Sequence, residues 1–391
     1  MSTPHLAARL QGFGTTVFAE MSALAVATGS VNLGQGFPDT PGPPEVLDVA
    51  RAAIGTGLDQ YPPGPGLPVL REAIAAHVQR FRALSYDADT EVLVTAGATE
   101  ALAGAMLGLL DPGDEVVVFE PVYDSYAAGI AMAGGVLVPV PLRPPAVVDG
   151  VSTEPWTFDE AELRAAVGPR TKLLLLNTPH NPTGKVFDRT ELQLVADLAV
   201  EHDLVVVCDE VYEHLVFAGS EHVSLATLPG MRERTLLVSS GGKTFSTTGW
   251  KVGWVCGPAE LVTCVRTAKQ FLTYVNAGPF QPAIAAGLGL PDAFFTALAA
   301  DLEGKRDLLV AGLAAAGLPV VSPQATYFAT VRVEGDGLDF CRELPHRVGV
   351  VAVPSSAFYT REHADLGRHL VRFAFCKRDE VLLEATRRLT A

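Results

Sequence analysis

Lys243 is the residue whose type and setting point most directly to chemistry. It stands in Ser239-Ser-Gly-Gly-Lys-Thr-Phe-Ser-Thr-Thr-Gly-Trp-Lys251, directly after the apolar run Thr235-Leu-Leu-Val238. Small residues leave room around its amine, and a second cation, Lys251, follows in the same segment. A crowded pocket and a nearby cation both lower the pKa of a lysine, which suits an amine that forms Schiff bases. The alternative is an exposed loop lysine, the fate of most lysines.

Other polar residues also end apolar runs. Asp209 terminates Leu204-Val-Val-Val-Cys208, and Glu210 and Tyr212 add a second acid and a phenol within reach. An unpaired buried carboxylate is costly, so Asp209 needs a partner, unless it is a helix cap. Asn177-Thr-Pro-His-Asn-Pro-Thr-Gly184 holds two Asn and two Pro in a short span, which makes a rigid loop. Thr95-Ala-Gly-Ala-Thr99 joins a strand to a helix, and its small residues let backbone N–H groups approach an anion; an ordinary capped turn has the same composition. Arg372 lies in Leu370-Val-Arg-Phe-Ala-Phe375. A guanidinium on an apolar strand either grips a carboxylate with both arms or closes an internal ion pair.

The elements that must position these residues are legible. Apolar β-rich runs at Glu91–Thr95, Glu115–Glu120, Val136–Pro139, Lys172–Asn177, Leu204–Asp209 and Leu236–Ser239 alternate with stretches of helical period such as Thr99–Leu110 and Glu191–Glu201. That rhythm predicts an α/β fold with a mostly parallel sheet covered on both faces. Ligands of such sheets collect beyond the carboxyl ends of the strands. Pro62-Pro-Gly-Pro-Gly66 is a rigid connector before a helix from Pro68 to Arg82. After Pro282 the texture changes to a long helix, Asp292–Gly317, several short strands and a final helix, Asp379–Leu389, which reads as a smaller α+β lobe. The expected division is 1–40 as an N-terminal arm and part of the small domain, 41–281 as the large domain and 282–391 as the small one. The first thirty or so residues show no strand–helix rhythm and read as an arm.

The 391 residues are 48% hydrophobic and 19% charged, ample for a large core. A formal charge of −15 argues against a nucleic-acid or anionic-membrane surface. Five scattered cysteines form no C-x-x-C pair and none has a His at zinc-ligand spacing, so no metal is expected. They suit a reducing compartment, and with neither a cleavage-site pattern in Met1–Gln11 nor a membrane-length apolar run the expectation is a cytoplasmic protein. Gly242-Lys243-Thr244 matches the end of a phosphate-binding P-loop, but the required earlier glycine is Leu237. No G-x-G-x-x-G follows a strand, and neither H-E-x-x-H nor G-x-S-x-G occurs.

Taken together, Asn181-Pro-Thr-Gly184, Asp209-Glu-Val-Tyr212, Ser240-Gly-Gly-Lys243 and Gly249-Trp-Lys251 resemble the class I/II aminotransferases of the fold-type I pyridoxal-phosphate enzymes. The resemblance runs from Val31-Asn-Leu-Gly-Gln-Gly-Phe-Pro-Asp39 to Val371-Arg-Phe-Ala-Phe-Cys-Lys377. It is strongest to the branch of N-succinyldiaminopimelate, kynurenine/glutamine and methionine aminotransferases. Gln60-Tyr-Pro-Pro-Gly-Pro-Gly66 and Thr15-Thr-Val-Phe-Ala-Glu-Met21 look most like the succinyldiaminopimelate members.

The resemblance implies a seven-stranded central sheet, pyridoxal 5'-phosphate as cofactor and a homodimer. It implies that Lys243 forms the Schiff base with the cofactor and then shuttles the proton, that Asp209 pairs with the pyridine nitrogen, and that Asn181 and Tyr212 bond the ring oxygen. Tyr123 stacks on the ring. Ala98, Thr99, Ser240 and Lys251 hold the phosphate, and Tyr61 reaches in from a second subunit. Arg372 takes the substrate α-carboxylate, and Gly36 and Phe18 line the substrate side, with Tyr327 and Asn276 of one or other subunit expected at the edge of the side-chain pocket. The expected reaction is a ping-pong exchange between an L-amino acid and a 2-oxo acid. N-succinyl-diaminopimelate with 2-oxoglutarate/glutamate is favoured over kynurenine, because the side-chain pocket is expected to tolerate polar groups and Asn276-Ala277 stands where kynurenine enzymes carry an aromatic-His pair; kynurenine/glutamine/methionine aminotransferase is the alternative. A β-lyase acting on cysteine S-conjugates would use the same lysine and release pyruvate and ammonia without an acceptor. A regulator on this fold would need a DNA-binding domain, for which the arm is too short.

Overall fold

The computed structural model describes residues 5–14 and 17–391, so Thr15 and Thr16 of the Thr15–Met21 motif lie outside the described residues. Its central sheet has seven strands, in the spatial order Val92–Ala96, Val252–Cys256, Thr235–Ser240, Val205–Asp209, Thr171–Asn177, Glu115–Glu120, Val136–Pro141. All are parallel except Val252–Cys256, which is antiparallel to both neighbours. That strand is absent from the expected set, because Gly253 interrupts its apolar run. The interior strands are continuously apolar because both faces are covered. Leu174 and Leu176 face one core cluster while Leu173 and Leu175 face another. The helix Arg189–Glu201 opens on a capping box between Asp188 and Glu191.

A second sheet orders Val353–Pro354, Leu370–Ala374, Phe328–Arg332, Val320–Val321 and Val151–Ser152. The last strand comes from the loop after the central sheet's edge strand, a long-range pairing of two residues that no local pattern announces. Val31–Asn32 pairs in parallel with Val350–Val351.

The segment expected to be an arm without rhythm contains a helix, Val17–Thr28, whose Met21 and Ala25 are buried in the small core. That helix is apolar almost all round, so it offers no amphipathic period to read. We propose that the two domains divide within the helix Asp292–Ala315, later than position 282. Ala283, Ile284, Leu288 and Phe295 pack in a cluster of the central sheet, whereas Leu302, Leu309 and Leu313 pack with the second sheet. Among the described residues no single helix is long and apolar enough to cross a membrane.

Candidate active site

Three parallel strands of the central sheet end in polar residues at one edge: Asn177, Asp209 and Ser240. They converge on a cavity of about 210 Å³. Its walls include Ala98, Thr99, Tyr123, Asn181, Asp209, Tyr212, Ser240, Lys243 and Lys251. A second cavity of about 280 Å³ shares Tyr123, Asn181, Tyr212 and Lys243 with the first. It adds Phe18, Gly36 and Arg372, with Gln35, Phe37 and Asp124. The structure therefore brings every site residue expected from the sequence to these two cavities except Tyr61, Tyr327 and Asn276.

Asp209 is buried at the cavity floor. Its carboxylate accepts a hydrogen bond from the Tyr126 hydroxyl at 2.7 Å and from the Val211 N–H at 3.3 Å. Burial pushes its pKa up to about 6; the Tyr126 bond is the largest opposing effect. Tyr126 escaped the sequence reading. The available signal was its spacing from Tyr123, three residues apart at the start of the helix Asp124–Met132.

Lys243 sits in the short helix Gly241–Thr244 that follows the strand ending at Ser240. Burial lowers its pKa to about 8, against the pull of Asp209, and the cations Arg372 and Lys251 lower it further. Its Nζ donates to the Tyr327 hydroxyl at 3.0 Å. Tyr327 therefore lies behind the lysine rather than at the edge of the outer cavity. Asn276 also differs from expectation in its own chain: its Nδ2 donates to the carbonyls of Thr95 and Lys251, both at 3.1 Å.

The Asn177–Gly184 loop is held by its first residue. Asn177 Nδ2 donates to the Asp209 carbonyl at 2.9 Å, and its Oδ1 accepts from the Asn181 N–H at 2.7 Å. Asn181 Oδ1 then accepts from Arg372 at 3.2 Å. Arg372 also donates to the Gly34 carbonyl at 2.9 Å and lies 4.0 Å from the Phe328 ring centre. No carboxylate pairs with it among the described residues, and its buried Nε has no partner. Burial lowers its pKa to about 10, so it stays a cation at neutral pH.

Lys251 follows a one-turn helix at φ 53° and folds back over Gly97, where an added Cβ would stand 3.3 Å from its Nζ. A Cβ on Gly253 would come within 2.5 Å of the Gly97 backbone and 2.7 Å of the Ala98 nitrogen. Two glycines thus let strand and lysine close on the first turn of the helix Gly97–Leu109, whose free N–H groups and positive dipole end suit an anion. Tyr61 is 82% exposed, and its ring meets that of Tyr274 edge-on at 5.7 Å between centres.

Known proteins resemble this chain over nearly its whole length. The profile of the family described as "Aminotransferase class I and II" matches residues 28–389. A Mycobacterium tuberculosis protein named probable N-succinyldiaminopimelate aminotransferase is 53% identical over 98% of this chain and 97% of its own length. The solved structure of N-succinyldiaminopimelate aminotransferase from Mycobacterium tuberculosis superposes with a TM-score of 0.94 at 52% identity, covering 98% of this chain and 99% of that one. Mouse kynurenine–oxoglutarate transaminase 3 is 40% identical over 96% of this chain and 88% of its own length. With its fold and nearly its whole length in common with them, this chain belongs to the class I and II aminotransferases.

Proposed function

We propose that this aminotransferase works with pyridoxal 5'-phosphate and exchanges the amino group of N-succinyl-diaminopimelate with the 2-oxoglutarate/glutamate couple. The observation that carries the cofactor is the facing of Lys243 and Asp209 across one cavity, with a cation-and-amide cradle at one end and an unpaired Arg372 at the other.

The donor set fits the group. Lys251, the Ser240 and Thr99 hydroxyls and the first-turn amides of Gly97–Leu109 suit a phosphate, and the Asp209 carboxylate suits a protonated ring nitrogen. When bound, pyridoxal phosphate supplies an electron sink for the pair left as the substrate α-C–H bond breaks. The residues of the chain do the rest. Asp209 would hold the cationic ring, and Tyr126 holds Asp209. Asn181 and Tyr212 would bind the ring oxygen, and Tyr123 would pack against the ring. Arg372, a cation without a carboxylate partner among the described residues that lines the outer cavity, would grip the α-carboxylate. Lys243, whose pKa burial lowers to about 8, would take and return the α-proton.

We also propose a cytoplasmic homodimer in which Tyr61 completes the phosphate site of a second copy. Its exposure in the single chain supports that reading.

The substrate choice rests on the 53% identity to the Mycobacterium tuberculosis protein and on an outer cavity of mixed character, with Gln35 and Asp124 beside Phe18 and Phe37. Side-by-side kcat/KM values for N-succinyl-diaminopimelate, kynurenine, methionine and glutamine test it. A clear preference for kynurenine or methionine sinks the substrate. Pyruvate and ammonia formed without a 2-oxo acid acceptor would point to the β-lyase.

A further inference from the structure

Tyr327 is fully buried behind Lys243, packed edge-on against Tyr212 and Phe328. Its hydroxyl makes two hydrogen bonds: it accepts from Lys243 Nζ at 3.0 Å and donates to the Gly36 carbonyl at 2.8 Å. The directions are forced. A phenol has one proton and a carbonyl has none, so Gly36 claims the proton and only lone pairs remain for Lys243. The Tyr212 hydroxyl interacts with Tyr327 as well, but it carries a proton of its own. Burial raises the pKa of both phenols, which therefore stay protonated. A neutral Lys243 amine must then turn an N–H toward Tyr327 and its lone pair elsewhere, and the open direction is the cavity lined by Asp209 and Tyr212.

We propose that Tyr327 is a positioning residue for amino transfer: an acceptor-only rest that aims the lone pair of the free Lys243 amine into the cavity and ties that aim to the Gly36 segment. Gly36 packs so closely on this pair that an added Cβ would stand 2.4 Å from Phe328 and 3.1 Å from Tyr327. Gln35 and Phe37 on either side of it line the outer cavity, so displacement there is transmitted to the lysine. The inference rests on the reading of Lys243 as the reactive amine.

The test adds pyridoxal phosphate to full-length, cofactor-stripped wild type and Tyr327→Phe and follows the condensation rate from pH 6 to 10. In that step the amine nitrogen forms a C=N bond to the aldehyde carbon. The aldehyde oxygen leaves as water with two protons that come from the amine. Tyr327→Phe should lower the plateau rate about tenfold through loss of aim. It should also move the half-maximal pH downward, because the ammonium loses an acceptor that favours the charged form. A plateau within about twofold and an unmoved midpoint overturn the inference. Should Tyr327→Phe fail to fold, 3-fluorotyrosine placed at 327 gives a weaker acceptor of nearly the same shape, and the midpoint must again move downward or the inference falls. Peptide mapping of the reduced wild type separates the two levels. A pyridoxyl group absent from Lys243 overturns the lysine reading and this inference with it, whereas correct labelling with unchanged kinetics in the variant overturns this inference alone.

Discussion

Asp209 shows how one side chain carries both chemistry and a stability penalty. Its folded pKa of about 6 lies above the ordinary 3.8, so burial favours the protonated form. The sign follows: this group's contribution to stability is greatest below about pH 4 and is lost as the pH rises through 6. The penalty for the cofactor-free chain at neutral pH is on the order of 3 kcal/mol. Asp209→Asn should therefore stabilise the cofactor-free protein, and denaturant melts should show the advantage growing from pH 4.5 to 7.5. A constant difference across that range would contradict burial as the cause. The same variant should lose about 100-fold or more in turnover, since an amide cannot hold a cationic ring beside it. Near-wild-type turnover would remove Asp209 from the role proposed for it.

At the scale of elements, the site is a set of strand ends locked to one another. Behind Asp209, Arg82 bonds Glu213 at 2.8 Å, Glu213 accepts from Ser239 at 2.9 Å, and His77 and His214 meet at 2.8 Å. These contacts pin the turn after Asp209 to the helix Pro68–Arg82 and to the strand before Lys243. In front, Asn177 ties the loop that carries Asn181 to the Asp209 backbone. Asn177→Ala removes both bonds; the Asp209 carbonyl keeps the Thr178 N–H at 3.1 Å, but the buried Asn181 N–H is left without a partner, a loss of about 1–3 kcal/mol. Its melting temperature should fall, and KM should rise for every substrate, because Asn181 also orients Arg372. Unchanged KM with a lowered melting temperature would confine Asn177 to stability. Gly253→Ala is expected to push the Gly97–Ala98 turn outward and weaken cofactor retention. Equilibrium dialysis reads that loss directly, and wild-type retention would show that the turn yields without consequence.

The whole molecule leaves large apolar side chains open beside Tyr61: Tyr274 is in edge contact with it, and Phe271 and Leu272 are exposed nearby in the same loop. Exposed aromatic residues grouped in this way mark an interaction face. Sedimentation should find a dimer at micromolar concentration. Tyr61→Phe should keep that dimer yet retain pyridoxal phosphate less well. A fully active monomer in dilute solution would refute the shared site. The net charge of −15 leaves the cations Lys251 and Arg372, at opposite ends of the site, as a local exception in an acidic protein.

The sequence by itself determined the alternation of apolar strands and helices, and with it an α/β sheet with Asn177 and Asp209 at strand ends and Lys243 just beyond a third. Apolar period and chain order are local properties, so they survive in one dimension. Motif spacing also marked Asn181, Tyr212, Lys251 and Arg372. Tertiary structure alone decided which side chains meet across long separations. Tyr126 reaches Asp209 over 83 residues, Tyr327 reaches Lys243 over 84, and Val151–Ser152 joins a sheet built from the other end of the chain. It also decided that Val17–Thr28 is helical, through burial of Met21 and Ala25 against the small core. A hydrogen bond depends on distances of a few tenths of an ångström between elements. The packing of two layers sets those distances, and no residue pattern along the chain encodes them.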